Sequence, residues 1–200
     1  PAGAGSAPSR VIGQSSMAGA AANAGGVGPS SLSAPTAVLL AGGALFVADT
    51  GNNRVLAHGA AGAPAGGLAN FVRGQPGFTS SAANPGGIGR GTLSRPAALA
   101  FDGAALWVAD AGNRRVLVYD GLPASAGALP AVVLGQSAFD TAATGGTHPD
   151  PSGLEAGRGQ VFVADRAGRV VRAYLRDPAA VLSREALRSV PSSIREASYA

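Results

Sequence analysis

The feature that most restricts what this chain can fold into is a stretch of ten residues that it writes three times: FVADTGNNRV at 46–55, WVADAGNRRV at 107–116 and a shortened FVADRAGRV at 162–170. In each copy a run of Val, Ala and aromatic residues ends in Asp, a small turn follows, and an Arg-Val pair opens the next run. That order reads as a β-hairpin. Asp accepts bonds from backbone N–H groups a few residues on, and Gly51 and Gly112 are expected to supply the positive φ of a tight turn.

The repeat extends well beyond the hairpin. Gly-Gln recurs at 13–14, 74–75 and 135–136, in steps of 61. Asn23-Ala-Gly-Gly26 returns 61 residues later as Asn84-Pro-Gly-Gly87, and Leu32-Ser-Ala-Pro35 as Leu93-Ser-Arg-Pro96. Several landmarks at one spacing exclude compositional accident, even in a chain with 31 Gly. A fixed period of this size indicates a solenoid, propeller or array. In the third copy the step from Asp110 to Asp165 is 55, and the missing six residues lie between Gln136 and Pro151, a span of 15 where the other repeats have 21. A deletion that spares the apolar runs falls in a surface loop.

Four short strands are expected per unit, because the apolar runs are short, punctuated by Gly and rich in Val, Leu and Phe. They fall at 36–41, 44–49, 53–58 and 70–74; at 97–101, 105–110, 115–119 and 131–135; and at 152–156, 160–164, 169–174 and 179–183. The divisions are residues 1–14 as the outer strand of a preceding unit, 15–75, 76–136 and 137–184 as loop plus blade, and 185–200 as a tail in which Ser193 to Glu196 has the form of a helix-opening capping box. Four antiparallel strands joined by a long connection to the next four describe a propeller blade. The fold class expected is all-β, with about three blades of a partial β-propeller.

The runs LFVADTGNNRVL and ALWVADAGNRRVLVYD, with the Gly-Gln loops, resemble NHL-repeat propellers of the long bacterial type with a VLGQ-like outer strand, over residues 11 to about 176. The third unit departs from that pattern by losing the Asn of its turn. The resemblance implies blades around a central channel, usually six. With about three here, the chain reads as part of a larger propeller, as a half that closes by self-association, or as an open arc in which residues 10–14 lend a strand to the last unit. Relatives of the pattern are often exported, which favours an extracellular or cell-envelope location.

Composition narrows the function. Cysteine is absent, so disulfides and thiolate metal sites are excluded. No apolar run is long enough to span a membrane as a helix. The chain opens on Pro without a signal segment, as a mature form or a fragment would. All fifteen basic residues are Arg; residues 1–157 carry seven Arg against seven acids and residues 158–200 eight against four, so the net charge of +4 belongs to the last part.

No catalytic or metal-binding set emerges. Asp49, Asp110 and Asp165 end equivalent strands and are read as turn-capping carboxylates, in preference to a metal or general-acid site. Arg54, Arg115 and Arg169 are read as partners of those turns. His58 and His148 lack metal-ligand spacing, and no phosphate-binding or nucleophile-elbow motif is present. The positions that vary in and beside the turns are Asn53, Arg114, Arg166, Arg90 and Arg95, expected to share one rim suited to an acidic peptide, a phosphate or a glycan. The reading is a non-catalytic binding or scaffold module for a protein, peptide or glycan partner, with no cofactor. The alternatives are a fragment of a lyase-type propeller enzyme whose catalytic residues lie elsewhere, and an RNA-binding propeller. The charge-neutral repeats and core-positioned Phe46, Trp107 and Phe162 argue against nucleic acid.

Overall fold

Alternating apolar runs bounded by Gly turns become three antiparallel sheets in the computed structural model, which describes residues 8–59, 67–122, 127–144, 146–148, 150–157 and 159–175. The first sheet holds β1 (Ala37–Ala41), β2 (Ala44–Asp49), β3 (Arg54–His58) and β4 (Ala69–Arg73) in sequential order. The second repeats it with β5 (Pro96–Phe101), β6 (Ala105–Asp110), β7 (Arg115–Asp120) and β8 (Val132–Leu134). The third holds β9 (Pro151–Gly157), β10 (Gln160–Asp165) and β11 (Val170–Leu175). The expected strands are found within a residue or so at most ends, and the chain is all-β, a partial propeller of stacked blades. The expected strand at 179–183 and the tail 185–200 lie outside the described residues. Segment 10–14, expected as an outer strand, is bent and unpaired, because no described strand lies beside it to bond its backbone.

The blades stack through opposite flanks. Since successive strand residues point to opposite faces, each blade has a front flank toward the preceding blade and a rear flank toward the next. Phe46, Ala48, Val55 and Ala57 on the rear of blade 1 meet Leu99, Leu106, Val108, Leu117 and Tyr119 on the front of blade 2. On the rear of blade 2, Ala100, Trp107, Val116 and Val118 meet Val161 and Val163 of blade 3. Trp107 is 2% exposed, and its indole N–H donates to Asp102 Oδ2 at 3.0 Å. Asp102 Oδ1 accepts the amides of Ala104 and Ala105, so one carboxylate shapes the β5–β6 turn and anchors the core indole. Phe162 occupies the position of Phe46 and Trp107 but is only half-buried, because its flank faces no described blade.

The hairpin turns correct one expectation. The left-handed residues are Asn53 (φ 53°), Arg114 (φ 55°) and Arg169 (φ 54°), not Gly51 or Gly112. Those two glycines are required by close approach instead: a Cβ on either would lie 2.7 Å from a backbone oxygen, that of Ser33 or Ser94.

Candidate functional site

The repeated polar residues form a clasp, built twice. Asp49 ends β2 fully buried, and its Oδ1 accepts the Ser33 amide at 2.7 Å. Its Oδ2 accepts Asn52 Nδ2 at 2.8 Å and Arg54 Nε at 2.7 Å. The Arg54 guanidinium, also fully buried, then ties down two loops: NH2 donates to the carbonyls of Gly28 and Ser31 in its own repeat, and NH1 to that of Phe78 in the next. Asn52 and Asn23 exchange amide bonds of 2.7 and 2.9 Å. Gln75 Nε2 closes the clasp by donating to Asn53 O (2.9 Å) and Ala82 O (2.7 Å).

Blade 2 repeats every part. Asp110 accepts the Ser94 amide (2.7 Å), Asn113 Nδ2 (2.8 Å) and Arg115 Nε (2.8 Å). Arg115 donates onward to the carbonyls of Gly89, Thr92 and Phe139. Gln136 Nε2 donates to Arg114 O and Ala143 O. Burial pushes the Asp110 carboxyl up, opposed by the Arg115 charge and by its bonds to Ser94, Asn113 and Arg115. These carboxylates face the donors that the loops supply, which leaves them occupied in holding loops to sheets and not exposed to a reactant. Among the described residues no group of three or more His, Asp or Glu is placed to hold a metal ion.

The third clasp is rebuilt around a shorter turn. In register, Asp165 pairs with Val170, where Asp49 and Asp110 pair with Arg54 and Arg115. Arg169 therefore takes the left-handed place of Asn53 and Arg114, not the ion-pairing place expected for it. Arg166 correspondingly moves to the first turn position, that of Thr50 and Ala111. Asp165 accepts the Gly168 amide at 2.7 Å and meets Arg172 NH1 at 3.4 Å.

His148 stands where the second repeat has Leu93. It is fully buried, with Nε2 2.7 Å from the Tyr174 hydroxyl and Nδ1 3.9 Å from Asp165 Oδ2. Burial first, then Arg172, push it down to about 4 against the pull of Asp165.

The varying residues divide in two. Asn53 and Arg95 meet directly, the Arg95 amide donating to Asn53 Oδ1 at 2.9 Å, and Asn53 Nδ2 donates to Ser81 O. Arg114 NH1 reaches Ala142 O at 3.2 Å, and Arg166 Nε pairs with Asp150 Oδ2 at 2.7 Å from a largely exposed side chain. These belong to the face formed by the β2–β3, β6–β7 and β10–β11 turns and the loops bonded to them. Arg90 turns away along the outer strand instead, stacked 4.4 Å over the Phe139 ring and donating to Pro130 O.

Two buried groups were not legible as special. Arg73, 5% exposed, lies between blades 1 and 2 with no hydrogen-bond partner for any of its three nitrogens and with its guanidinium 5.1 Å from the Phe71 ring. Burial lowers its pKa, and burial raises that of Tyr119 beside it. His58 donates its Nδ1–H to Gly67 O (3.1 Å); burial pushes its pKa down, opposed by that bond and reinforced by Arg10 and Arg54. The one available signal was comparative: 61 residues on, Arg73 aligns with Leu134 and His58 with Tyr119.

No protein-family model matches the chain, and no curated protein does. Among solved structures, the computationally designed Ika4 protein is similar over 72% of this chain at 14% identity, with a TM-score of 0.40. The match spans 66% of that protein's length.

Proposed function

We propose that this chain is a non-catalytic binding or scaffold module of NHL-type propeller repeats, recognising a protein, peptide or glycan partner through its loop face. One observation carries the reading. The constant polar residues of the repeats are consumed internally in clasps, while the positions between them on the same face change from blade to blade: Ala34, Arg95 and Asp150; Asn53, Arg114 and Arg169; Thr50, Ala111 and Arg166. Fixed residues preserve the loop shape, and the changing ones supply the surface chemistry. Arg95, Arg114, Arg166 and Arg169 make that chemistry cationic, and a guanidinium fork matches carboxylate, phosphate or sulfate.

The test is a titration of the protein with an acidic peptide and with a sulfated glycan, beside the variant Arg95→Glu/Arg114→Glu/Arg166→Glu. Affinity for at least one probe is expected to fall by about tenfold or more in the variant, a change of about 1.4 kcal/mol. Equal affinity of the two proteins, or no binding of either probe at low ionic strength, removes the proposal.

A further inference from the structure

Outside glycine, the left-handed backbone region is held most readily by Asn, whose short side chain bonds locally. Among the described residues Asn23, Asn53 and Asn84 follow that preference, at φ 49°, 53° and 49°. Arg95 (φ 50°), Arg114 (φ 55°) and Arg169 (φ 54°) do not. Strain of this kind persists where the side chain serves something other than the fold.

The first repeat shows what the fold alone prefers. Asn53 Oδ1 accepts the Arg95 amide at 2.9 Å and its Nδ2 donates to Ser81 O at 2.9 Å, so this residue suits both its backbone and its neighbours. Arg114, at the same place one repeat on, keeps only the second bond, NH1 to Ala142 O at 3.2 Å, and offers no acceptor for the first. The amide of Asp150, the counterpart of Arg95, meets Asp165 Oδ1 at 3.3 Å instead. Arg95 and Arg169 are exposed, and neither guanidinium has a hydrogen-bond partner among the described residues.

These side chains are contiguous. Ser94, beside Arg95, is bonded to the β6–β7 turn twice: its amide donates to Asp110 Oδ1 and its carbonyl accepts the Gly112 amide at 2.8 Å, with Arg114 two residues on. Arg114 leans onto the loop that leads into blade 3. There Arg166 is held to Asp150 by its Nε and its amide, at 2.7 and 3.0 Å, and Arg169 closes the same turn. The result is a cationic track across blades 2 and 3, where blade 1 has Ala34, Thr50 and Asn53.

We infer that this track binds a linear anionic glycan, its sulfate or uronate groups met in turn by Arg95, Arg114 and Arg169; this rests on the loop-face reading above and narrows it. A guanidinium fork matches either group. The nine changing positions hold only Ala, Thr, Asn, Asp and Arg. They therefore lack the aromatic platforms on which nucleic-acid bases stack and the aromatic anchors that carry a peptide interface, and a ligand read by spaced charges is what remains.

Calorimetric titration of the whole chain with a heparin-derived octasaccharide, a hyaluronan octasaccharide and a glutamate octapeptide tests this. At least one glycan is expected to bind more tightly than the peptide. Arg95→Asn/Arg114→Asn/Arg169→Asn is expected to melt at or above the wild-type temperature, because Asn suits all three backbones, and to bind that glycan about tenfold more weakly or worse. Arg90→Gln, which removes a charge from the outer strand instead, leaves the affinity unchanged. Undiminished glycan binding by the triple variant overturns the inference. So does a loss in Arg90→Gln equal to that in Arg114→Asn, since binding then follows net charge alone, and so does a triple variant that melts well below the wild type, since the fold then needs these arginines. A peptide bound more tightly than either glycan overturns the glycan assignment and leaves the loop-face reading standing, whereas binding of none of the three removes both.

Discussion

At the scale of single residues, the clasp Asp and Arg are fully buried, and what matters is the cost of breaking the pair. Removing one partner from a buried, hydrogen-bonded ion pair costs about 3–5 kcal/mol, because the other charge stays behind without compensation. Arg115→Met therefore lowers stability by about that amount in urea denaturation, and Asp110→Asn, which keeps two of the three contacts, by less. Arg73 predicts the opposite sign. Its guanidinium is buried with every nitrogen unpaired, and a buried unsatisfied polar group costs about 1–3 kcal/mol, more when charged. Arg73→Leu, which installs the residue of the second repeat, raises stability by about 1–3 kcal/mol in the same measurement. The Asp–Arg pairing was legible in the sequence from the recurrence of both residues. The loss of it in the third turn was not, because FVADRAGRV aligns equally well by its Arg as by its length, and only the Asp165–Val170 register decides.

At the scale of elements, the loops that precede each blade are as regular as the strands, and the reason is visible in what they bond. Ser33, Gly28 and Ser31 in one loop, and Ser94, Gly89 and Thr92 in the next, offer backbone groups to Asp and Arg in the same order. Strand positions were legible because alternation and Gly punctuation are local signals. The clasp was legible only as recurring letters, since the bonds that tie Asp49, Asn52 and Arg54 to the loops join residues 16 to 29 apart. The third loop, six residues shorter, uses His148 as its anchor, and this makes blade 3 sensitive to acid. The folded pKa of about 4 lies below the ordinary 6.5, so the unfolded chain binds the proton first. Stability from this group is complete above pH 6.5 and is lost as pH falls toward 4, by on the order of 3 kcal/mol in all. His58, also lowered, acts in the same direction, and Asp110, raised, acts against it. The contribution of His148 is isolated by comparing thermal melts at pH 7 and 4.5 with those of His148→Leu. The variant is expected to lose less of its melting temperature on acidification; an equal loss assigns the acid sensitivity elsewhere.

At the scale of the whole molecule, a stack of repeats is held together chiefly by nearest-neighbour contacts, so the strength of each joint sets how far local opening spreads. The joint between blades 1 and 2 has an apolar core, the Arg54 bond to Phe78 of the next loop, and Thr36 and Thr50 hydroxyls donating to Ala97 and Pro96 carbonyls at 2.9 and 2.6 Å. The joint between blades 2 and 3 keeps the Trp107 core and the Arg115 bond to Phe139. Beyond it, blade 3 has Val170 where an arginine would reach forward, and Val171 on its rear flank is exposed among the described residues. Opening free energy should therefore fall along the chain. Native-state hydrogen exchange is expected to show the slowest amides in β2, β3, β6 and β7, with β9 to β11 exchanging through a separate, lower-energy opening. Uniform protection across all three sheets would mean that blade 3 is secured by contacts other than those made with blade 2. If that uniform protection were lost on dilution, the securing contact would be one between copies, since only an intermolecular joint weakens as concentration falls.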